Sequence, residues 1–305
     1  MNSITSILPA VGRQSAARFR LHSHLLQKLL SCFLLSGMLL LSSLAYTQDS
    51  SFHIYLCFGQ SNMEGNAKIE TDTIVDPRFQ MLATVDCPGL NRQMGHWYTA
   101  QSPLCRCRTG LGPADYFGRK MVEQLPASIR VGIINVSVGG CKIELFDKDG
   151  YASYVATAPE WLKNMVNEYD GNPYARLVDM AKRAQRAGAI KGILLHQGES
   201  NTGDTTWPLK VKKVYDNLLQ DLQLPPGSLP LLAGELVNAD QGGTCASMNK
   251  IIATLPQVIP SAYIISSAGC TDAPDNLHFN AQGYRMLGAR YAARMLSLLG
   301  YTHAQ

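Results

Sequence analysis

Ser61 lies where an apolar run, residues 52–58, gives way to Gly59-Gln60-Ser61-Asn62-Met63-Glu64-Gly65. A serine at the end of a buried strand, on a turn bracketed by glycines, is lifted clear of the sheet, as a nucleophilic hydroxyl requires. Serine is a poor nucleophile at neutral pH unless a base takes its proton and a third group orients that base. Asp275 and His278 supply such a pair. A carboxylate three residues before a histidine can fold back onto the imidazole Nδ1 and leave Nε2 facing the serine. Standing alone, the same spacing reads more readily as a helix or turn cap beside a surface histidine. Ser61 is what gives it chemistry.

Attack on an acyl carbon also needs donors for the developing oxyanion. Gly139-Gly140 follows a second apolar run, and a residue without a side chain lets a backbone N–H approach a substrate closely. Taken alone, the pair is an ordinary tight turn. Gln197 offers a side-chain N–H, or else a brace between loops. Ser200 and His196 compete for the roles of nucleophile and base, since His196-Gln197-Gly198-Glu199-Ser200-Asn201 also follows an apolar run. Ser61 is preferred because it follows the first strand.

Five short β-branched runs, residues 52–58, 130–136, 190–195, 230–236 and 262–266, read as buried strands. Helical patterns fall at 114–125, 174–187, 209–222, 247–255 and 281–299. The last carries Tyr284, Leu287, Tyr291, Met295 and Leu298 at three- or four-residue steps. Strands alternating with helices predict a mainly five-stranded parallel sheet covered on both faces. Ligands of such sheets bind beyond the carboxyl ends of the strands. The polar segments at Ser61, Gly139, Gln197, Asn238 and His278 all follow strands, so they converge on one rim.

The first 45 residues hold Arg13, Arg18, Arg20 and Lys28, no acid, and an apolar stretch at 29–44 ending in Ser43-Leu44-Ala45, the pattern of a signal peptide. A membrane anchor is the competing reading, but the stretch is shorter than the ~20 residues a spanning helix needs. Lipidation at Cys32 is disfavoured, because the apolar region follows that cysteine. The expectation is a secreted or periplasmic protein with one domain at 46–305 and no stable membrane insertion after cleavage. Of the 27 basic residues four are in the leader, which leaves 23 against 23 acidic ones. A neutral body gives no footprint for nucleic acid and points to an uncharged ligand or polymer.

The cysteines that follow the leader number seven, Cys57, Cys87, Cys105, Cys107, Cys141, Cys245 and Cys270, so at least one thiol stays unpaired. One or two disulfides are expected in an oxidising compartment, among the loop cysteines and Cys245 and Cys270. Cys105-Arg106-Cys107 without a second ligand pair is a weak metal signal. The second glycine of a G-x-S-x-G elbow is replaced by Met63, which disfavours the α/β-hydrolase fold. With no Walker loop, dinucleotide fingerprint or HExxH motif, no cofactor is expected.

Gly59-Gln60-Ser61-Asn62-Met63 with Gly65, the Gly139-Gly140 turn, the 196–201 block and Asp275-Asn276-Leu277-His278 together resemble the SGNH hydrolases. Within them they resemble the carbohydrate acetylesterase branch, which includes acetyl xylan esterases and sialate O-acetylesterases. The four ordered blocks span nearly all of the chain after the leader. The resemblance implies a three-layer α/β/α, flavodoxin-like sandwich that removes acetyl groups from sugar hydroxyls through an acyl-serine. It implies Ser61 as nucleophile, His278 as base, Asp275 as orienting acid, and an oxyanion hole of the Ser61 and Gly140 N–H groups with the Gln197 side chain. The branch carries Gln-Gly-Glu where the wider superfamily has asparagine, so Glu199 is a further acid, beside Asp275 or in its place.

The expected partner is an acetylated poly- or oligosaccharide, plant polysaccharide foremost. Sialate esters, other short-chain esters, and sugar binding without catalysis are the alternatives. Trp97, Trp161 and Trp207 fall in loop-like stretches where aromatic faces stack on sugars, although packing beneath long loops is the commoner use of such residues. The 66–112 segment reads as an elaborated loop over the rim.

Overall fold

The computed structural model describes residues 48–70 and 74–301. The leader assigned to residues 1–45 lies outside them. The elements in chain order are β1 (Phe52–Gly59), α1 (Ser61–Glu64), β2 (Phe79–Leu82), β3 (Trp97–Thr99), α2 (Pro113–Gln124), β4 (Arg130–Ser137), α3 (Tyr151–Ala156), α4 (Glu160–Asn167), α5 (Pro173–Ala184), β5 (Ala189–His196), α6 (Trp207–Asp221), β6 (Leu231–Gly234), α7 (Asn249–Ile252), β7 (Ala262–Ile265) and α8 (Ala281–Leu298). No helix among the described residues is long and apolar enough to cross a membrane.

The sheet has seven strands in the order β3-β2-β4-β1-β5-β6-β7. The five expected strands form its parallel body, β4-β1-β5-β6-β7, with β1 paired to β4 on one side and β5 on the other. Two strands were missed, both within the 66–112 segment read as a loop. β2 adds parallel to β4, and β3 closes the edge antiparallel to β2. They are four and three residues long, too short to show a period.

β1 is buried along its whole length. Phe52, Ile54, Leu56 and Phe58 pack into one core with Leu162, Leu177, Met180 and Leu218, beneath α4, α5 and α6. Tyr55 and Cys57 point the other way, into a second core with Phe117, Met121, Leu287 and Tyr291 of α2 and α8. This two-residue alternation makes a single strand the floor of both cores, and the result is an α/β/α sandwich. The expected helix at 247–255 is instead a 3₁₀ turn leading into the single turn α7. At the end of the chain, Asn280 caps α8 by accepting the Gly283 N–H at 2.9 Å. The cap role is thus filled without Asp275.

Because the chain runs to β4 on one side of β1 and to β5 on the other, the loops leaving β1 and β5 diverge and open a crevice at their carboxyl ends. Ser61 stands at that crevice.

Candidate active site

Gly59 ends β1 with φ +151°, and a Cβ there would lie 2.0 Å from the His196 carbonyl oxygen. Only glycine lets the two strand ends approach so closely. The Gln60 N–H then donates to that carbonyl at 3.0 Å, and the chain turns into α1. Asn62 and Met63 are driven into the interior, which leaves Ser61 half-buried at the crevice.

The Ser61 Oγ lies 2.9 Å from His278 Nε2, and His278 Nδ1 lies 2.7 Å from Asp275 Oδ2. The other Asp275 oxygen accepts the Leu277 and His278 N–H groups, each at 3.0 Å, so the loop holds its own carboxylate in place. Partial burial opposes ionisation of Asp275. The bonds from His278 and the two backbone N–H groups outweigh it and hold the carboxyl down to about 2. Asp275 is therefore an anion across the neutral range, fit to orient an imidazole and stabilise its protonated form.

Gly139 and Gly140 face this relay. A Cβ on Gly139 would lie 3.7 Å from Ser61 Cβ and 2.9 Å from Glu64 Oε2, so a side chain would press on both. Gly139 N–H donates to Glu64 Oε1 at 3.2 Å, and Gly140 has φ +70°. Among the described residues no acceptor takes up the Ser61 or Gly140 N–H.

Residues 51–297 match the family model described as carbohydrate esterase, sialic acid-specific acetylesterase. The chain belongs to this carbohydrate esterase family. It is a carboxylic ester hydrolase of the carbohydrate acetylesterase type, and its fold is that of the SGNH esterases. A protein of Arabidopsis thaliana has a similar fold, with TM-score 0.62 and 20% identity over 80% of this chain and 98% of that one. NanS aligns with TM-score 0.59 and 15% identity over 84% and 99%. A carbohydrate acetylesterase from Xanthomonas citri aligns with TM-score 0.57 and 16% identity, over 83% of this chain but 57% of that one.

Two expected roles do not fit the geometry of this carbohydrate esterase. Gln197 is 1% exposed, and its amide nitrogen donates to Asn201 Oδ1 at 2.7 Å, Gln60 Oε1 at 3.1 Å and the Cys141 carbonyl at 3.3 Å. An amide has two N–H groups, and both are committed here, so Gln197 braces three loops and points no donor at an oxyanion. Its own oxygen accepts the Trp207 Nε1–H at 2.5 Å. Glu199 has no hydrogen bond to His278. Its Oε1 accepts the Asn62 side chain at 2.6 Å, and burial pushes its carboxyl up against that bond. Asp275 is the carboxylate on the histidine.

The competing nucleophile and base also find other partners. The Ser200 hydroxyl donates to the Gly140 carbonyl at 2.9 Å, steadying the turn. His196 is fully buried, edge-on to Phe279, with Nδ1 3.4 Å from the Tyr291 hydroxyl. Burial pushes its imidazole down to about 3. A neutral ring sealed from the crevice takes no proton from Ser61.

Two groups have a part in the site that the sequence did not assign. Asn62 accepts from the Tyr284 hydroxyl at 2.8 Å and the Phe279 N–H at 3.2 Å, and donates to the Leu277 carbonyl at 3.0 Å and to Glu199. It ties the nucleophile turn to the histidine loop. Arg106, 7% exposed, bonds both Glu64 and Glu168. Burial pushes the Glu64 carboxyl up, and Arg106 opposes the shift. The one sequence signal was an arginine held between two cysteines. Cys107 pairs with Cys87, while Cys105 is a buried thiol 3.1 Å from the Tyr169 hydroxyl. Cys57, Cys141, Cys245 and Cys270 are also unpaired. Beside the nucleophile turn opens a cavity of about 670 Å³, lined by Glu64, Asn66, Lys68, Arg106, Arg108 and Glu168 among others.

Proposed function

We propose that this carbohydrate esterase removes O-acetyl groups from sugar hydroxyls through an acyl-serine, with Ser61 as nucleophile, His278 as base and Asp275 as its orienting acid. The observation that carries this reading is the unbroken relay of 2.9 and 2.7 Å from Ser61 through His278 to Asp275. As Ser61 Oγ attacks the acetyl carbonyl carbon, its proton passes to His278 Nε2, and Asp275 stabilises the resulting imidazolium. The Ser61 and Gly140 N–H groups receive the negative charge on the former carbonyl oxygen. Collapse sends the His278 proton to the departing sugar oxygen and leaves acetyl-Ser61. Water, deprotonated by His278, attacks the acetyl carbon, and as the bond to Oγ breaks the proton passes from His278 to Ser61, releasing acetate.

The substrate proposed is an acetylated poly- or oligosaccharide such as acetylated xylan, met outside the cytoplasm after removal of a leader at 1–45. The Cys87–Cys107 disulfide supports an oxidising compartment. A second reading, an O-acetylated sialic acid, is favoured by the cavity beside Glu64. Lys68 and Arg108 line it, and neither has an ion-pair partner among the described residues, as a sugar carboxylate would require.

Acetate release from 4-nitrophenyl acetate, acetylated xylan and O-acetylated sialic acid tests both readings. The protein is expected to hydrolyse the aryl ester and one sugar ester, and Ser61→Ala to lose on the order of 10⁴-fold or more in turnover. Wild-type turnover by Ser61→Ala rules out the mechanism. Sugar affinity without acetate release would make the chain a binding protein.

A further inference from the structure

The three tryptophans have separate fates. Trp207 is fully buried and donates to Gln197. Trp97 is half-buried, edge-on to Phe52 with ring centroids 4.8 Å apart. Trp161 is 54% exposed. An exposed indole gives up most of the stabilisation that burying so large an apolar surface provides, so its position calls for a reason.

That position is the rim of the crevice. Leu162 and Val166, 1% and 0% exposed, seat α4 in the core and leave Trp161 outside. A Cβ on Gly140 would lie 2.7 Å from Trp161 Cη2. Gly140 is thus a glycine for two reasons, its φ of +70° and the indole against it. On the neighbouring residue of the same dipeptide a Cβ on Gly139 would lie 3.7 Å from Ser61 Cβ, so the one turn touches both the indole and Ser61. The turn is held by Glu64 on the Gly139 N–H and by Ser200 on the Gly140 carbonyl, which fixes the backbone against which the indole rests.

We infer that Trp161 is the sugar platform of this esterase, the apolar face of a pyranose ring stacking on its indole while the ring's acetyl ester reaches Ser61. An acetyl group stands one ester oxygen from its ring carbon, so a ring presenting its ester to Ser61 comes down beside Gly140, where the indole is. Ring C–H groups against an aromatic face give a contact indifferent to the order of hydroxyls. Trp161 therefore sets affinity for a sugar ring, and identity is read elsewhere. This inference rests on the esterase reading above.

The test separates binding from turnover. Acetylated xylo-oligosaccharide and an O-acetylated sialoside are titrated calorimetrically into Ser61→Ala protein, with and without Trp161→Ala or Trp161→Phe. Trp161→Ala is expected to weaken binding of whichever probe binds by roughly three- to tenfold, and Trp161→Phe to restore most of it. In the active enzyme the same substitution is expected to raise KM for the sugar ester by a similar factor. The ratio of kcat/KM for the sugar ester over ethyl acetate, which has no ring, falls with it. Equal binding by the alanine variant, binding of neither probe, or an equal fall for both esters overturns the inference. Sugar binding that depends on Trp161 without acetate release would overturn the esterase reading and leave the platform standing.

Discussion

The burial of His196 makes a stability measurement decisive. Its imidazole lies in the interior with Nε2 unpartnered, and burial lowers it from 6.5 to about 3. A base depressed in the native state stays neutral there while the unfolded chain takes up the proton. Its contribution to stability is fully present above pH 6.5 and is lost as pH falls from 6.5 towards 3. Each unit of that interval costs about 1.4 kcal/mol, so at pH 5 the native state has lost about 2 kcal/mol relative to pH 7 on this account. His196→Leu abolishes the difference. Leucine is apolar, and the Tyr291 hydroxyl keeps its bond to the Leu195 carbonyl at 2.8 Å. His53 is also lowered by burial, but it remains in both proteins and cancels. Glu199, raised by burial, has an oxygen 4.0 Å from His196 Nε2, and the same pair of proteins carrying Glu199→Gln checks that the difference belongs to the histidine. Urea unfolding followed by circular dichroism at pH 7 and pH 5 gives the two free energies. Wild type is expected to lose about 2 kcal/mol more than His196→Leu over this interval. Parallel losses would show that His196 accepts a proton in the folded protein, and with it the case for a sealed, non-catalytic ring would fail.

The remaining expectations concern the site and its support. Asp275→Asn should lower kcat by roughly 10³- to 10⁴-fold, because the histidine loses its orienting anion. Glu199→Gln, which keeps a partner for Asn62, should cost less than about tenfold, and equal losses would return Glu199 to the relay. The kcat/KM profile should show no limb from Asp275 above about pH 4, since that carboxyl is held to about 2. Reducing Cys87–Cys107, whose cysteines are 20 residues apart, should cost about 3 kcal/mol in urea unfolding by loop entropy.

The parallel body of the sheet was legible because strands buried on both faces write unbroken apolar runs, as β1, β4 and β5 do. β2 and β3 were not legible, because a short strand at a sheet edge carries no period and is defined by its partner. Around the crevice, Ser61, Asp275 and His278 were legible because their types and their places after strands leave one chemically coherent combination. Gln197 and Glu199 were found as positions, but their partners in neighbouring loops were not legible. A side-chain amide or carboxylate looks the same in sequence whether it faces a substrate or a neighbouring loop, and Asn62, Asn201 and Gln60 decide that choice from 137 and fewer residues away. Asn62 itself was read as part of a motif and given no task. Trp161 shows the opposite failure, since the packing role that tryptophans usually take described Trp207 well and Trp161 badly.

The Ser61–His278 bond joins positions 217 residues apart, and Asn62 reaches Phe279 across the same span. On the mechanism proposed above, a chain still emerging carries its nucleophile from the first strand onward but has no base until the segment before α8 is made and docked. On that mechanism hydrolytic power is withheld through synthesis and appears with completion of the fold. Acetate release becomes a clock for the final step of assembly. A refolding experiment that follows esterase activity beside backbone signals would time the docking of the last loop.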